Sequence, residues 1–196
     1  MITLELLQQR LRDWKGCELH KTAKQAVLGE GNPHAEIMFI GEAPGQKEDE
    51  QGRPFVGAAG QFLDELLGTI GLKREDVYIS NVVKYRPPEN RDPTPEEKEQ
   101  CMPWLMLEIA LIKPQIIVPL GRHALGHFLT KLTITDAHGK PFKLTATNAD
   151  PSAPAGSDVT IFPIYHPAAA LHNGSLRQSL YDDFKALGKF LEKRKK

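Results

Sequence analysis

Residues Glu36 to Gly45 read EIMFIGEAPG, a short apolar run followed at once by a glycine- and proline-rich turn. Three further runs of the same kind lie at Val77 to Ser80, Gln115 to Leu120 and Val159 to Ile164. Runs that are short, rich in β-branched residues and apolar on both faces are typical of buried parallel strands. The four runs therefore predict the strands of a central sheet.

Helical patterns separate these runs. They cover residues 60–70, 95–112 and 122–129, and an amphipathic opening helix runs from Leu4 to about Gly16. Strands that alternate with helices are connected by right-handed crossovers. The order predicts a three-layer α/β/α sandwich around a mostly parallel sheet of about four strands.

Composition limits the class of protein. A chain of 196 residues with 40% hydrophobic side chains buries a sizeable core, so we expect one domain over residues 1–196 and a monomer. Met1 to Gln9 contains Glu5 and no uninterrupted apolar run, which predicts a cytoplasmic protein without a membrane anchor. Lys plus Arg and Asp plus Glu both number 25, which excludes a global positive field. Residues 145–158 are predicted to form a mobile surface loop.

Three segments are expected to meet at one crevice. In open α/β sheets, ligands bind beyond the carboxyl ends of the strands. Gly41 to Gly45, Asn81 to Asn90 and His166 to Leu171 all follow predicted strands. The sequence therefore predicts a ligand site that these segments build together.

Several longer motifs occur in order along the chain: Gln46 to Asp49, Gly52 to Gly57 (GRPFVG), Asn81, Arg86 to Arg91 (RPPENR) and His166 to Ala168 (HPA). Several multi-residue motifs in one order are far more specific than a single short pattern. The set resembles the family 4 uracil-DNA glycosylases, from about residue 14 to about residue 187. The resemblance implies excision of uracil from single- or double-stranded DNA in base-excision repair.

The resemblance also implies a pocket for a base flipped out of DNA. Phe55 is expected to stack on this base; the alternative, a core side chain, is less favoured because Phe55 lies in a loop punctuated by Gly and Pro. The Asn81 amide can donate to uracil O4 and accept from N3–H, although an Asn after a strand is otherwise a common turn former. Gly41 and Ala43 complete the predicted substrate-binding set.

Two residues are expected to carry the chemistry. His166 is expected to donate a hydrogen bond to the anion that develops on uracil O2, whether the imidazole is neutral or charged. Glu42 is expected to orient the attacking water. Glu48 is assigned a supporting role at the substrate, with a solvated surface charge as the alternative.

Local groups are expected to contact DNA, because the net charge is zero. Positive side chains placed to meet phosphates are Lys84, Arg86 and Arg91. The resemblance further implies that a loop with Pro167, Ala168 and Leu171 presses into the duplex, with Leu171 as the wedge.

The chain departs from the family at the cluster ligands. The resemblance implies four Cys that hold a [4Fe–4S] cluster, but the matching positions read Trp14, Cys17, Tyr85 and Cys101. We therefore expect no cofactor and no metal, with Trp14 and Tyr85 filling the vacated volume. A zinc site of Cys17, His20 and Cys101 lacks a fourth ligand and is disfavoured.

Two other functions stay open. The chain could be a module that only binds uracil-containing or damaged DNA, or a glycosylase for another deaminated base. Retention of Glu42, Phe55, Asn81 and His166 together favours the enzyme, because a non-catalytic module has no need of a leaving-group donor.

Overall fold

The central sheet has six strands in a computed structural model that describes residues 2–144 and 159–194. The predicted loop at residues 145–158 lies outside the described residues. The strands are β1 (Glu30–Gly31), β2 (Ile37–Gly41), β3 (Tyr78–Asn81), β4 (Ile116–Pro119), β5 (Phe142–Lys143) and β6 (Thr160–Ile161), in the order β1-β3-β2-β4-β6-β5. The four predicted strands are confirmed as the parallel centre of the sheet. Two short antiparallel edge strands, β1 and β5, were not predicted.

Eight helices accompany the sheet in the described residues. They are α1 (Leu4–Asp13), α2 (Gln46–Gln51), α3 (Ala58–Thr69), α4 (Pro95–Ile112), α5 (Gly121–Leu125), α6 (Ile134–Ala137), α7 (Pro167–His172) and α8 (Gly174–Arg194). None of the described helices is both long and apolar enough to cross a membrane.

The sheet is buried on both faces, which confirms the three-layer sandwich. Along β2, Met38 and Ile40 belong to one apolar cluster, which includes residues of α1 and α4. Ile37 and Phe39 belong to a second cluster, which includes residues of α3 and α8. Successive side chains of a strand point to opposite faces, so the two clusters are two separate layers of core.

Helix α4 has the predicted bounds. Thr94 caps its first turn and forms a reciprocal capping box with Glu97, and Pro95 occupies the first helical position. These are the residues that favour a helix start. The last predicted strand is shorter than expected: β6 covers Thr160–Ile161, and Pro163 follows it closely. Strand pairing resumes after it in a single bridge between Leu120 and Ile164.

The segment after His166 is a helix, so the prediction of a loop at residues 167–171 is corrected. His166 precedes α7, and Pro167 occupies the first helical position, where a missing N–H costs nothing. A six-residue helix is too short for a periodic apolar pattern, which is why the sequence did not reveal it. Helix α7 packs against α3 and α8.

Candidate active site

A cavity of about 360 Å³ opens where β2 and β3 end. Six of the predicted catalytic and substrate-binding residues line it: Glu42, Ala43, Glu48, Phe55, Asn81 and His166. They come from three separate stretches of chain. The parallel sheet brings these stretches together because its carboxyl ends lie on one edge.

Gly41 lies behind the cavity at the end of β2, where it pairs with Asn81 of β3. A Cβ atom on Gly41 would collide with Asn81 Oδ1 and with the Phe55 ring. Glycine is therefore required here because two side chains approach its backbone closely. This residue shapes the cavity without lining it.

Asn81 presents an amide ready for a ligand. Its side chain is buried, and Oδ1 has no hydrogen-bond partner among the described residues. A buried carbonyl oxygen without a partner costs free energy, which a donor on a ligand can offset.

Phe55 faces the cavity from a loop in an uncommon backbone conformation. Its φ is 52°, in the left-handed region that bulky residues avoid. Its ring centroid lies 5.7 Å from that of His166, at 31° between the planes. Glu48 supports the same loop, since its Oε1 accepts hydrogen bonds of 2.8 Å from the N–H groups of Val56 and Gly57. Glu48 is thus not a freely solvated charge.

The His166 ring has a defined tautomer. Its Nδ1 accepts a hydrogen bond of 3.1 Å from the Ala168 N–H, so Nδ1 carries no proton and Nε2 carries it instead. Burial, followed by repulsion from His123, lowers the pKa of His166 to about 4. The imidazole is therefore neutral near pH 7 and keeps one N–H to donate.

Glu42 is surrounded by polar residues that the sequence did not single out. Lys98 Nζ lies 3.2 Å and His123 Nδ1 3.3 Å from Glu42 Oε1. His123 Nε2 also lies 3.3 Å from Asp92 Oδ2. No motif marks Lys98 or His123, because α4 and α5 carry them to the site only in the folded chain.

Ligand atoms of Glu42, Asp92 and His123 lie within 4.8 Å of one another. Positive side chains already flank both carboxylates: Lys98 lies beside Glu42, and Arg122 lies 3.8 Å from Asp92. Charge neutralised in this way has little need of a cation.

The prediction that Lys84 binds DNA is wrong. Lys84 is fully buried, and its Nζ donates to Glu108 Oε2 at 2.7 Å, to Ser80 Oγ at 2.9 Å and to the Asn81 carbonyl at 2.9 Å. All three ammonium protons have partners, so none can reach a phosphate.

The other predicted DNA contacts lie around the cavity or near it. Arg91 and Ala168 line it. Arg91 also forms a two-point ion pair with Glu97, with nitrogen–oxygen distances of 2.8 and 2.6 Å. Leu171, on α7, is exposed.

A second group of residues lies away from the cavity. The rings of Trp14 and Tyr85 stack with centroids 5.8 Å apart, and the Tyr85 hydroxyl donates to the Trp14 carbonyl. Cys17 and Cys101 are both buried, and the interaction between the two thiols lowers the pKa of Cys17 and raises that of Cys101. The His20 ring is hydrogen-bonded to the Cys17 carbonyl at 2.7 Å. Among the described residues, the side chains of Cys17, His20 and Cys101 do not come together as a group that could hold a metal ion.

The sandwich and its cavity define an α/β protein whose pocket, at the carboxyl edge of a parallel sheet, is lined by an aromatic ring, a buried amide and an imidazole. A family model described as the uracil DNA glycosylase superfamily matches residues 28–191. A type-4 uracil-DNA glycosylase of Archaeoglobus fulgidus is 44% identical over 99% of this chain and 96% of that protein. One from Thermotoga maritima is 42% identical over 97% of this chain and 95% of its own length. A third type-4 enzyme, from Sulfurisphaera tokodaii, is 45% identical over 95% of this chain and 84% of its own length. The chain belongs to the uracil-DNA glycosylase superfamily, and its resemblance to the type-4 members is confirmed.

The prediction of no cofactor is contradicted by these relatives. They are type-4 enzymes, the class for which the resemblance implies an iron–sulfur cluster. Cys17 and Cys101 offer two thiols, and Trp14 and Tyr85 offer rings that stack on each other. Ligation by four thiolates does not fit these residues.

Proposed function

We propose that this protein excises uracil from DNA by hydrolysing the N-glycosidic bond, which leaves an abasic site. The proposal rests on buried Asn81, whose Oδ1 has no hydrogen-bond partner in the described part of the chain and which lies beside the Phe55 ring and the neutral His166. The full-length type-4 relatives support it.

Recognition uses the two edges of the Asn81 amide. Its Oδ1 accepts from uracil N3–H, and its NH₂ group donates to O4. Cytosine has an acceptor at N3 and a donor at N4, where uracil has a donor at N3 and an acceptor at O4. Both the oxygen and the NH₂ group of the Asn81 amide would then face a group of their own kind. Phe55 stacks on the face of the base.

Bond cleavage places negative charge on uracil and positive charge on the sugar. The Nε2–H of His166 donates to the anion on O2, in a site where burial strengthens the hydrogen bond. Glu42, with Lys98 and His123 within 3.3 Å of its Oε1, orients the attacking water. The bond between the sugar C1′ and uracil N1 breaks, the water oxygen bonds to C1′, and the proton that the water loses neutralises the uracil anion.

DNA would lie across the mouth of the cavity. Arg86 and Arg91 are the proposed phosphate contacts, and Pro167, Ala168 and Leu171 on α7 the proposed contacts with the strand beside the flipped base. The exposure of Leu171 supports this placement. A monomer in the cytoplasm stays a prediction from the sequence.

A single-stranded oligonucleotide with one uracil and a labelled end tests the proposal. After incubation with the protein, alkali cleaves the strand at abasic sites. Cleavage at the uracil position, absent from a thymine control, supports uracil excision. Tight binding of the uracil strand without cleavage would identify a binding module, and cleavage at hypoxanthine but not at uracil would identify another base as the substrate.

A further inference from the structure

Arg74 stands on a short turn, Arg74–Asp76, before β3 and outside every motif of the site. Its guanidinium donates to the Phe55 carbonyl at 2.9 Å and to the Pro54 carbonyl at 2.7 Å. It also pairs with Asp64 of α3 at 3.1 Å. This half-buried cation thus holds two consecutive carbonyls of the loop that carries Phe55.

These contacts fall where the loop backbone is strained. Phe55 has a φ of 52°, a conformation that a bulky residue keeps only when its surroundings hold it there. Charge-assisted hydrogen bonds to a planar guanidinium fix the direction of both carbonyls. Since φ of Phe55 sets where its ring points, the same contacts set the ring.

Two other groups hold the loop from different sides. Glu48 accepts from the N–H groups of Val56 and Gly57. A Cβ atom on Gly60 would collide with the Phe55 carbonyl, so α3 packs directly against the backbone of Phe55. Neither contact holds the Pro54 carbonyl, and only Arg74 links both carbonyls among the hydrogen bonds of the described residues.

We infer that Arg74 is a positioning residue that holds Phe55 in its strained conformation, so that the ring forms the stacking face for the uracil base. This inference rests on the proposed function. Arg74 does not line the cavity, and it acts on the base only through Phe55.

The test compares Arg74→Met with Arg74→Lys and with Arg177→Met as a matched control. Arg177 also pairs with a carboxylate of α3, Glu65, at 3.1 Å, but it does not touch the Phe55 loop. In Arg74→Met, inhibition by free uracil should weaken by roughly tenfold, the scale of one base–aromatic stacking contact. Affinity for DNA with an abasic site, which has no base to stack, should stay unchanged.

Arg74→Lys should recover part of the uracil affinity, because an ammonium can still bind one carbonyl. Amide hydrogen exchange of residues 52–60 should become faster in Arg74→Met and not in Arg177→Met. This exchange measurement does not depend on activity.

Three results would overturn the role of Arg74: unchanged uracil inhibition in Arg74→Met, an equal loss in Arg177→Met, or an equal loss of affinity for abasic DNA. Each of them would leave the proposed function intact if the wild type still releases uracil. A wild type that releases no uracil would instead refute the proposed function, and the exchange of residues 52–60 would then report only whether Arg74 holds the loop.

Discussion

His166 combines two properties that suit an anion donor. Its Nδ1 is occupied by the Ala168 N–H, and its pKa is lowered to about 4 by burial. We expect His166→Ala to lower the single-turnover rate by roughly 10²–10³-fold, the scale for loss of one oxyanion donor, with little change in DNA affinity. Full activity in this variant would remove His166 from the mechanism.

The lowered pKa of His166 also predicts a flat pH response. An imidazole is neutral at every pH well above its pKa, and an ordinary imidazole gains its proton near pH 6.5. With a pKa of about 4, His166 should stay neutral between about pH 8 and about pH 5. The ratio of wild-type to His166→Ala rates should therefore be constant over this range. A bend in the ratio near pH 6.5 would show that the imidazole titrates normally.

Asn81 decides which base is accepted. In Asn81→Asp, a carboxylate offers acceptors only, which suits the cytosine edge better than the uracil edge. The ratio of uracil to cytosine excision should fall or invert. Single-turnover rates on matched uracil and cytosine oligonucleotides measure this, and an undiminished preference for uracil would contradict the assignment of Asn81.

At the scale of elements, a buried ion pair joins the end of β3 to α4. Lys84 Nζ lies 2.7 Å from Glu108 Oε2, and both side chains are almost fully inaccessible. Lys84 also holds the carbonyl of Asn81, so this pair connects the helix to the site. A buried charge that loses its partner is strongly destabilising.

Lys84→Met should therefore lower the free energy of unfolding by about 3–5 kcal/mol, since it leaves Glu108 buried and unpaired. Denaturant unfolding measures this, and the double variant Lys84→Met with Glu108→Gln should recover part of the loss. Lys73→Met is the matched control, because Lys73 pairs with Glu75 at the exposed surface. A loss as small as in the control would show that the Lys84 pair contributes little.

At the scale of the whole molecule, the balance of charges limits the electrostatic part of the affinity for DNA. The chain has 25 positive and 25 negative side chains, and burial removes Lys84 from the surface. Two arginines remain among the predicted phosphate contacts, Arg86 and Arg91.

Binding to a single strand should therefore depend only modestly on salt. With about 0.7 counterions released per phosphate contact, the slope of log affinity against log salt should lie between roughly −0.7 and −1.4. Titrations at several salt concentrations measure the slope, and Arg86→Met should reduce it. A slope several times steeper would mean that other cations bind DNA.

The sequence by itself determined the alternation of strands and helices, and with it the sandwich and the edge where the site forms. The strands are apolar on both faces, so both faces of the parallel sheet must be buried, and the helices between the strands are the elements that can cover them. The ordered motifs also carried the resemblance that predicted Glu42, Phe55, Asn81 and His166, whereas the strand ends by themselves predicted only that their segments meet at one crevice. Edge strands of two residues and the short helix α7 carry too few residues for a period, so they went unseen.

Only the tertiary structure decided which partner each polar side chain meets. Lys84 reads as a surface cation until Glu108, 24 residues away, meets it in the interior. Arg74 and Phe55 are 19 residues apart, and no local pattern links a guanidinium to a carbonyl at that distance. Hydrogen bonds and ion pairs depend on positions within a few ångströms, and packing of the sheet against its helices sets those positions.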